Sequence, residues 1–111
     1  MSRYSIRVTR LARQQLQGIS EHIICEYKAP ETARNMLRSL KNAIASLSEM
    51  PSRAKPIDEQ PWGNMGVRKI SYKNYYIYFW INENEKTVQI TGVIYAGRDQ
   101  TRQLNEMGTD N

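Results

Sequence analysis

Residues 67–96 read VRKISYKNYYIYFWINENEKTVQITGVIYA, and where this stretch is cut decides the fold. Apolar and aromatic residues recur at alternate positions, the period of a strand, and β-branched and aromatic side chains suit a pleated surface. Two polar interruptions divide the run, one at Lys73-Asn74 and one across NENEK. Strands are therefore predicted at 67–72, 75–81 and 87–96, joined by tight hairpins.

Upstream, SRAKPIDEQPWGN at 52–64 holds two prolines and a glycine and reads as a loop. Before it, Ala33, Met36, Leu37, Leu40, Ala43, Ile44 and Leu47 recur at spacings of three and four, one face of a helix. Pro30 suits the first helical position, Glu31 complements the dipole, and Pro51 ends a run of about 30 Å. An earlier helix is predicted after a Thr9 cap, with Leu11, Leu16, Ile19, Ile23 and Tyr27 in one stripe. Gly18 weakens that helix by about 1 kcal/mol relative to alanine and marks a point of expected close approach. In front of it, Tyr4, Ile6 and Val8 alternate with Ser5 and Arg7 as a short strand. Few residues separate the two helices, so they should form an antiparallel hairpin.

The predicted architecture is α+β in the order β-α-α-β-β-β: an antiparallel four-stranded sheet with the helical hairpin packed on one face. One domain is expected over 1–111, with the hairpin at about 10–50, the sheet at about 67–96 and a tail at 99–111, where Leu104 and Met107 could pin a short helix.

The 111 residues are 40% hydrophobic and 24% charged, which fits a globular chain and not a disordered one. No apolar run approaches the ~18–20 residues of a membrane span, and no membrane partner is expected. The single cysteine, Cys25, suits a reducing interior, so a cytoplasmic location is expected, with Cys25 packing as a small apolar residue beside Ile23, Ile24 and Tyr27. No Cys/His cluster has metal-ligand spacing, so neither metal nor cofactor is expected. The net charge of +5 favours anionic partners, and its placement is informative. Arg3, Arg7, Arg10 and Arg13 precede the first acid, Glu21, and Arg68, Lys69 and Lys73 lie in the acid-free stretch between Glu59 and Glu83.

With the helices on one face, the other face has no element left to cover it and becomes the candidate site. Alternation sends Ile77, Phe79, Ile81, Val88, Ile90 and Ile94 toward the helices. It leaves Tyr76, Tyr78, Trp80, Gln89, Thr91, Val93 and Tyr95 outward. Lys69 is placed opposite Arg68 and Ile70, an assignment that a bulge would reverse. Aromatic planes beside cations are what single-stranded nucleic acid requires, so Lys73, Tyr75, Tyr76 and Tyr78 are the nucleic-acid-binding candidates. The competing reading is that tyrosines are simply good strand formers. In GVIYAGRDQTRQL, 92–104, Arg98 follows Gly97 and either reaches over the open face toward a phosphate or belongs to a plain turn; Asp99 either orients it or shares that turn. His22 reads as a solvent-side helix residue, and Met50, Met65 and Trp62 as packing beneath the loop.

The order of elements, together with GVRKI, NYYIYF, IYAGRD and the helical pattern from Ala33 to Pro51, resembles the RelE/ParE superfamily of bacterial type II toxins over nearly the whole chain. The resemblance implies a toxin of a plasmid-stabilising toxin–antitoxin system, wrapped by a partly disordered segment of a cognate antitoxin. RelE-type relatives cut messenger RNA on the ribosome without a metal, whereas ParE-type relatives inhibit DNA gyrase and lack the cleavage residues. Arg68 and Lys69 match the basic positions of the nuclease branch on the second strand, Arg98 the basic residue after the last, and Tyr95 its frequent histidine or tyrosine. These four are the catalytic candidates for an endoribonuclease whose partners are ribosome and mRNA. One departure points to the gyrase-directed alternative: Tyr76 stands where the nuclease pattern has an arginine. A third alternative is a degenerate member that survives only as an antitoxin or DNA-complex partner.

Overall fold

The structure, a computed structural model, describes residues 3–97 and 100–106. Strand β1 (Ser5–Val8), helices α1 (Arg10–Tyr27) and α2 (Pro30–Ala45), strands β2 (Arg68–Tyr72), β3 (Tyr75–Asn82) and β4 (Thr87–Tyr95), and helix α3 (Gln100–Glu106) follow in that order. The expected β-α-α-β-β-β order is present, with α3 formed in the tail. Met107 lies outside the described residues.

Thr9 caps α1 as expected: its backbone is extended and its hydroxyl accepts the Ala12 N–H at 3.2 Å. The first turn of α1 then carries Arg10 and Arg13 and no acid, although cations at a helix N-terminus oppose the dipole by about 0.3–1 kcal/mol each. Lys28, left-handed at φ 49°, ends the helix, and Pro30 opens α2, where Glu31 pairs with Arg34. The second helix stops at Ala45, earlier than its apolar period suggests. Short 3-10 turns at Ser46–Ser48 and Pro51–Arg53 continue from there, and the Ser46 hydroxyl donates to the Ala43 carbonyl at 2.6 Å.

The sheet order is β1-β4-β3-β2. Tight hairpins force β2, β3 and β4 to be antiparallel, but β1 returns through the two helices and runs parallel to β4, so the sheet is mixed. Ala12 and Leu16 of α1, and Leu40 and Ile44 of α2, close with Leu47 over Ile77, Phe79, Val88, Ile90 and Val93. This is the main core, between the helical hairpin and one sheet face. Several sequence expectations fail at its margins. Cys25 is exposed rather than packed, and Tyr27 runs off the stripe at 70% exposure. Met50 and Met65 are also exposed, and a Cβ at Gly18 would meet nothing within 4 Å, so no neighbour approaches that glycine.

The largest correction comes from one residue. Tyr78 pairs with Gly92 but Phe79 pairs with Ile90, so Thr91 is an extra residue in β4. Beyond this bulge the two faces of β4 exchange. Val93 joins the main core, Ile94 turns to the opposite face, and Tyr95 lies directly across from Tyr75, contrary to simple alternation.

That opposite face is not open. Ile57 and Val67 of the crossing loop and Leu104 of α3 bury Tyr78 and Ile94 in a second, smaller core, with Trp62 and Tyr76 packed against it. The loop is tied down by the Ile57 N–H donating to the Val67 carbonyl at 2.9 Å. Gly63 is buried within it, and a Cβ there would fall on the Ile57 carbonyl oxygen, a backbone atom that cannot swing aside. Gly63→Ala is expected to cost about 1–3 kcal/mol, read as a lower urea midpoint. A midpoint equal to wild type would show that the loop re-seats without loss.

The β3–β4 hairpin is held by Asn82, whose side-chain oxygen accepts the Glu85 N–H at 3.1 Å. The Tyr4 hydroxyl crosses from the start of the chain to donate to the Glu83 carboxylate at 2.8 Å. That hydrogen bond is the largest cause holding the Glu83 carboxyl below its usual value, with Lys86 assisting. A carboxyl lowered in the folded state contributes stability above its unfolded pKa, and loses it as pH falls through the folded value. Tyr4→Phe should therefore move the Glu83 titration up toward the ordinary carboxylate range, measured by NMR. An unmoved titration would mean that Lys86 and Arg68 hold it without Tyr4. Among the described residues, no helix is long and apolar enough to cross a membrane.

Candidate functional site

Adjacent residues of β2 point to opposite faces, and this divides the predicted cations. Lys69 pairs with Tyr78 on the face away from the helical hairpin. Its ammonium lies 4.1 Å from the centre of the Tyr76 ring and 5.9 Å from that of Tyr78, an attraction between cation and aromatic face. Arg68 pairs with Phe79 on the other face, and its guanidinium donates to the Ala54 carbonyl, beside the bridge that Arg68 makes with Pro56. Arg68 thus fastens the crossing loop.

The predicted tyrosine platform also divides. Tyr76 and Tyr78 share the face with Lys69, their rings 6.3 Å apart and edge-on. Tyr76 is half-buried, but Tyr78 is fully buried and offers no plane to a base. Burial is the main cause raising the Tyr78 hydroxyl pKa, with the charges of Glu59 and Tyr76 adding to it, so this phenol stays protonated at neutral pH. The stability that its burial supports is complete below the unfolded tyrosine value and is lost as pH climbs through the folded one.

Tyr75 and Tyr95 stand together on the helix side, their rings 5.9 Å apart and edge-on. Burial first, then the charges of Tyr95 and Tyr27, raise the Tyr75 hydroxyl pKa. Tyr95 is half exposed, and its ring occupies the space a Cβ would need at Gly97. Lys73 is exposed in the β2–β3 turn at φ 52°, its ammonium 5.9 Å from the centre of the Tyr72 ring. His22 is exposed on α1, edge-on to Tyr27, as expected for a solvent-side residue. Arg98 and Asp99 lie outside the described residues.

Of the four catalytic candidates, the fold brings Arg68 and Tyr95 to the hairpin side of the sheet and Lys69 to the other. RNA cleavage needs a base, a charge stabiliser and an acid around one phosphate, within hydrogen-bond reach of the reacting atoms. What the fold does assemble around Lys69 is a cation beside two tyrosine rings, one half-buried and one fully buried. Sequence reading missed the loop and α3 that cover Tyr78. The available signal was the apolar trio Ile57, Val67 and Leu104 in segments otherwise polar.

A family model describing the ParE toxin of the type II toxin–antitoxin system parDE matches residues 6–100. Similar solved structures include a chromosomal ParDE toxin–antitoxin system from P. aeruginosa, 20% identical, with a TM-score of 0.69 over 83% of this chain and 95% of that one. The RelBE2 toxin–antitoxin complex from Mycobacterium tuberculosis is 23% identical, with a TM-score of 0.61 over 84% of this chain and 98% of that one. The isolated E. coli RelE toxin is 14% identical, with a TM-score of 0.59 over 93% and 95%. At these identities the structural likeness concerns the fold. No curated protein matches the chain.

Proposed function

The chain belongs to the ParE toxin family of type II toxin–antitoxin systems, and from that membership we propose that it arrests growth by binding DNA gyrase without cleaving RNA, and is held in check by a cognate antitoxin. The observation that carries this reading is the fate of the neighbouring cations. Arg68 is engaged by the Ala54 carbonyl on one face, and Lys69 by the Tyr76 ring on the other. Neither is aimed with its neighbour at a common phosphate, and Tyr76 stands where the nuclease pattern has an arginine. A protein-binding toxin requires none of those roles; it requires a stable scaffold that presents a surface.

A ribosome-dependent endoribonuclease is the second reading, favoured by Lys69 and Tyr76 standing together on one face. One experiment separates the two. Purified toxin is added to a gyrase supercoiling reaction, and messenger 5′ ends are mapped within minutes of induction in cells without antitoxin. The proposal expects supercoiling to fail at about micromolar toxin while messenger stays intact, and Lys69→Ala with Arg98→Ala to leave growth arrest unchanged. New 5′ ends in translated regions, lost in that double variant, together with unaffected gyrase, would replace this reading by the nuclease.

A further inference from the structure

We propose that the aromatic end of the molecule, where the tip of α1 overhangs the end of the sheet marked by Tyr75 and Tyr95, is the surface by which the toxin docks on its protein target. The matching surface on the target is apolar at its centre and rimmed with carboxylates. This docking rests on the gyrase-binding reading above and names the face that does the binding.

Two hydrogen bonds set the course of α1 along β4. The Thr9 N–H donates to the Ile90 carbonyl at 3.0 Å, and further on the Gln15 side-chain oxygen accepts the Val93 N–H at 2.9 Å. The helix thus advances in the same sense as the strand. From Gln15 to Tyr27 it rises about 18 Å, whereas β4 has only about 7 Å left between Val93 and Tyr95. The last turns of α1 therefore overhang the sheet by about 10 Å. In keeping with this, Tyr27 acts through its charge on the Tyr75 hydroxyl, an effect that weakens with distance.

This end gathers what a folded chain ordinarily buries. Of the five large hydrophobic side chains exposed among the described residues, three are here: Ile24 and Tyr27, one turn apart on α1, and Tyr95. Exposed apolar residues scattered singly are ordinary, but neighbouring ones mark a surface that another molecule covers. Tyrosine suits such a surface, since it brings a large rigid contact area and loses little conformational freedom. The Tyr95 ring meets Tyr75 edge-on at 5.9 Å and lies against Gly97. That packing presents a contoured surface in place of parallel planes, which suits protein side chains better than stacked bases.

The rim is basic. Lys28 ends α1 and Lys73 turns β2 into β3, both exposed and both held in left-handed backbone, at φ 49° and 52°. Two acids stand at the same tip, Glu26 and Glu31, and Glu31 is engaged by Arg34. With a net charge of +5 behind it, the patch complements an acidic edge around an apolar centre.

The test is a gyrase supercoiling reaction titrated with full-length toxin, as wild type and as the double variant Ile24→Ala, Tyr27→Ala. Both side chains are exposed and alanine favours the helix, so the urea midpoint should stay at the wild-type value. The concentration for half-inhibition is expected to rise about tenfold or more, and to stay unchanged in Arg38→Ala, an exposed cation elsewhere on α2. Hydrogen exchange in the wild-type complex needs no variant: the Lys28 and Lys73 amides should be slowed relative to free toxin. Full inhibition by the folded double variant, or unslowed exchange at those amides, would overturn the docking surface and leave the gyrase reading standing. Wild-type toxin that neither binds nor inhibits gyrase would overturn that reading, and the surface with it. A single-stranded oligonucleotide bound by the wild type and lost by the double variant, with gyrase inhibition unaffected, would reassign the patch to nucleic acid.

Discussion

Phe79→Ala is expected to lower the free energy of unfolding by about 3–5 kcal/mol. Phe79 is 0% exposed and lies in β3, with β2 on one side and β4 on the other. Its ring fills the space between the sheet and the helical hairpin, among Ile77, Ile90 and Leu40. Truncation removes the transfer free energy of the ring and leaves a cavity that the flanking strands, fixed by their ladders, cannot close. Because whole domains are stable by only about 5–15 kcal/mol, the variant should be partly unfolded under mild conditions. Urea denaturation checks it: the midpoint should fall with little change in slope. A loss under about 1 kcal/mol would mean that the bulge beside Phe79 lets the strands close on the gap.

Leu40→Ala should cost about 2–5 kcal/mol. Leu40 is also 0% exposed, but it lies on a helix and not in the sheet. Alanine is a slightly better helix former than leucine, so α2 itself is not weakened, and the loss measures packing alone. Far-ultraviolet circular dichroism should keep its helical signal below the transition, while the urea midpoint falls. An unchanged midpoint would place Leu40 outside the cooperative core. Both residues line the same core, so the double variant should depart from the sum of its parts.

The fold was largely legible because its signals were local. The spacing of Ala33, Leu40 and Ile44 marked the buried face of α2, Thr9 and Pro30 marked two helix starts, and Lys73-Asn74 marked a hairpin. The direction of β1 was not legible, since a strand that returns through two helices satisfies the same sequence pattern whether it runs parallel or antiparallel. Nor was the bulge at Thr91, because a one-residue insertion leaves no mark on composition, and every face assigned beyond it was reversed.

The candidate site was less legible, and for a different reason. Arg68, Lys69, Tyr75, Tyr76 and Tyr78 looked like one constellation because they crowd one stretch of sequence. Strand geometry divides such neighbours between faces, and the cover over Tyr78 comes from Val67 and from the distant Ile57 and Leu104. The cavity beside β1, lined by Arg7, Arg10, Arg13 and Lys41, shows the converse. Its arginines were visible as an acid-free run, but Lys41, far along α2, completes it only in the folded chain.

The extra residue at Thr91 has a consequence for how this chain can change. It works like a frameshift in the strand's two-letter code, and each half of β4 keeps its own phase. Polar-for-apolar substitutions tolerated on one side of Thr91 therefore say nothing about the matching positions on the other. Deleting Thr91 would give β4 one unbroken alternation, with Val93 still toward the helices and Ile94 still toward Leu104. Flattening the bulge with Thr91 kept would instead turn Ile94 toward the helices and Val93 toward Leu104, and misfill both cores without removing an apolar residue.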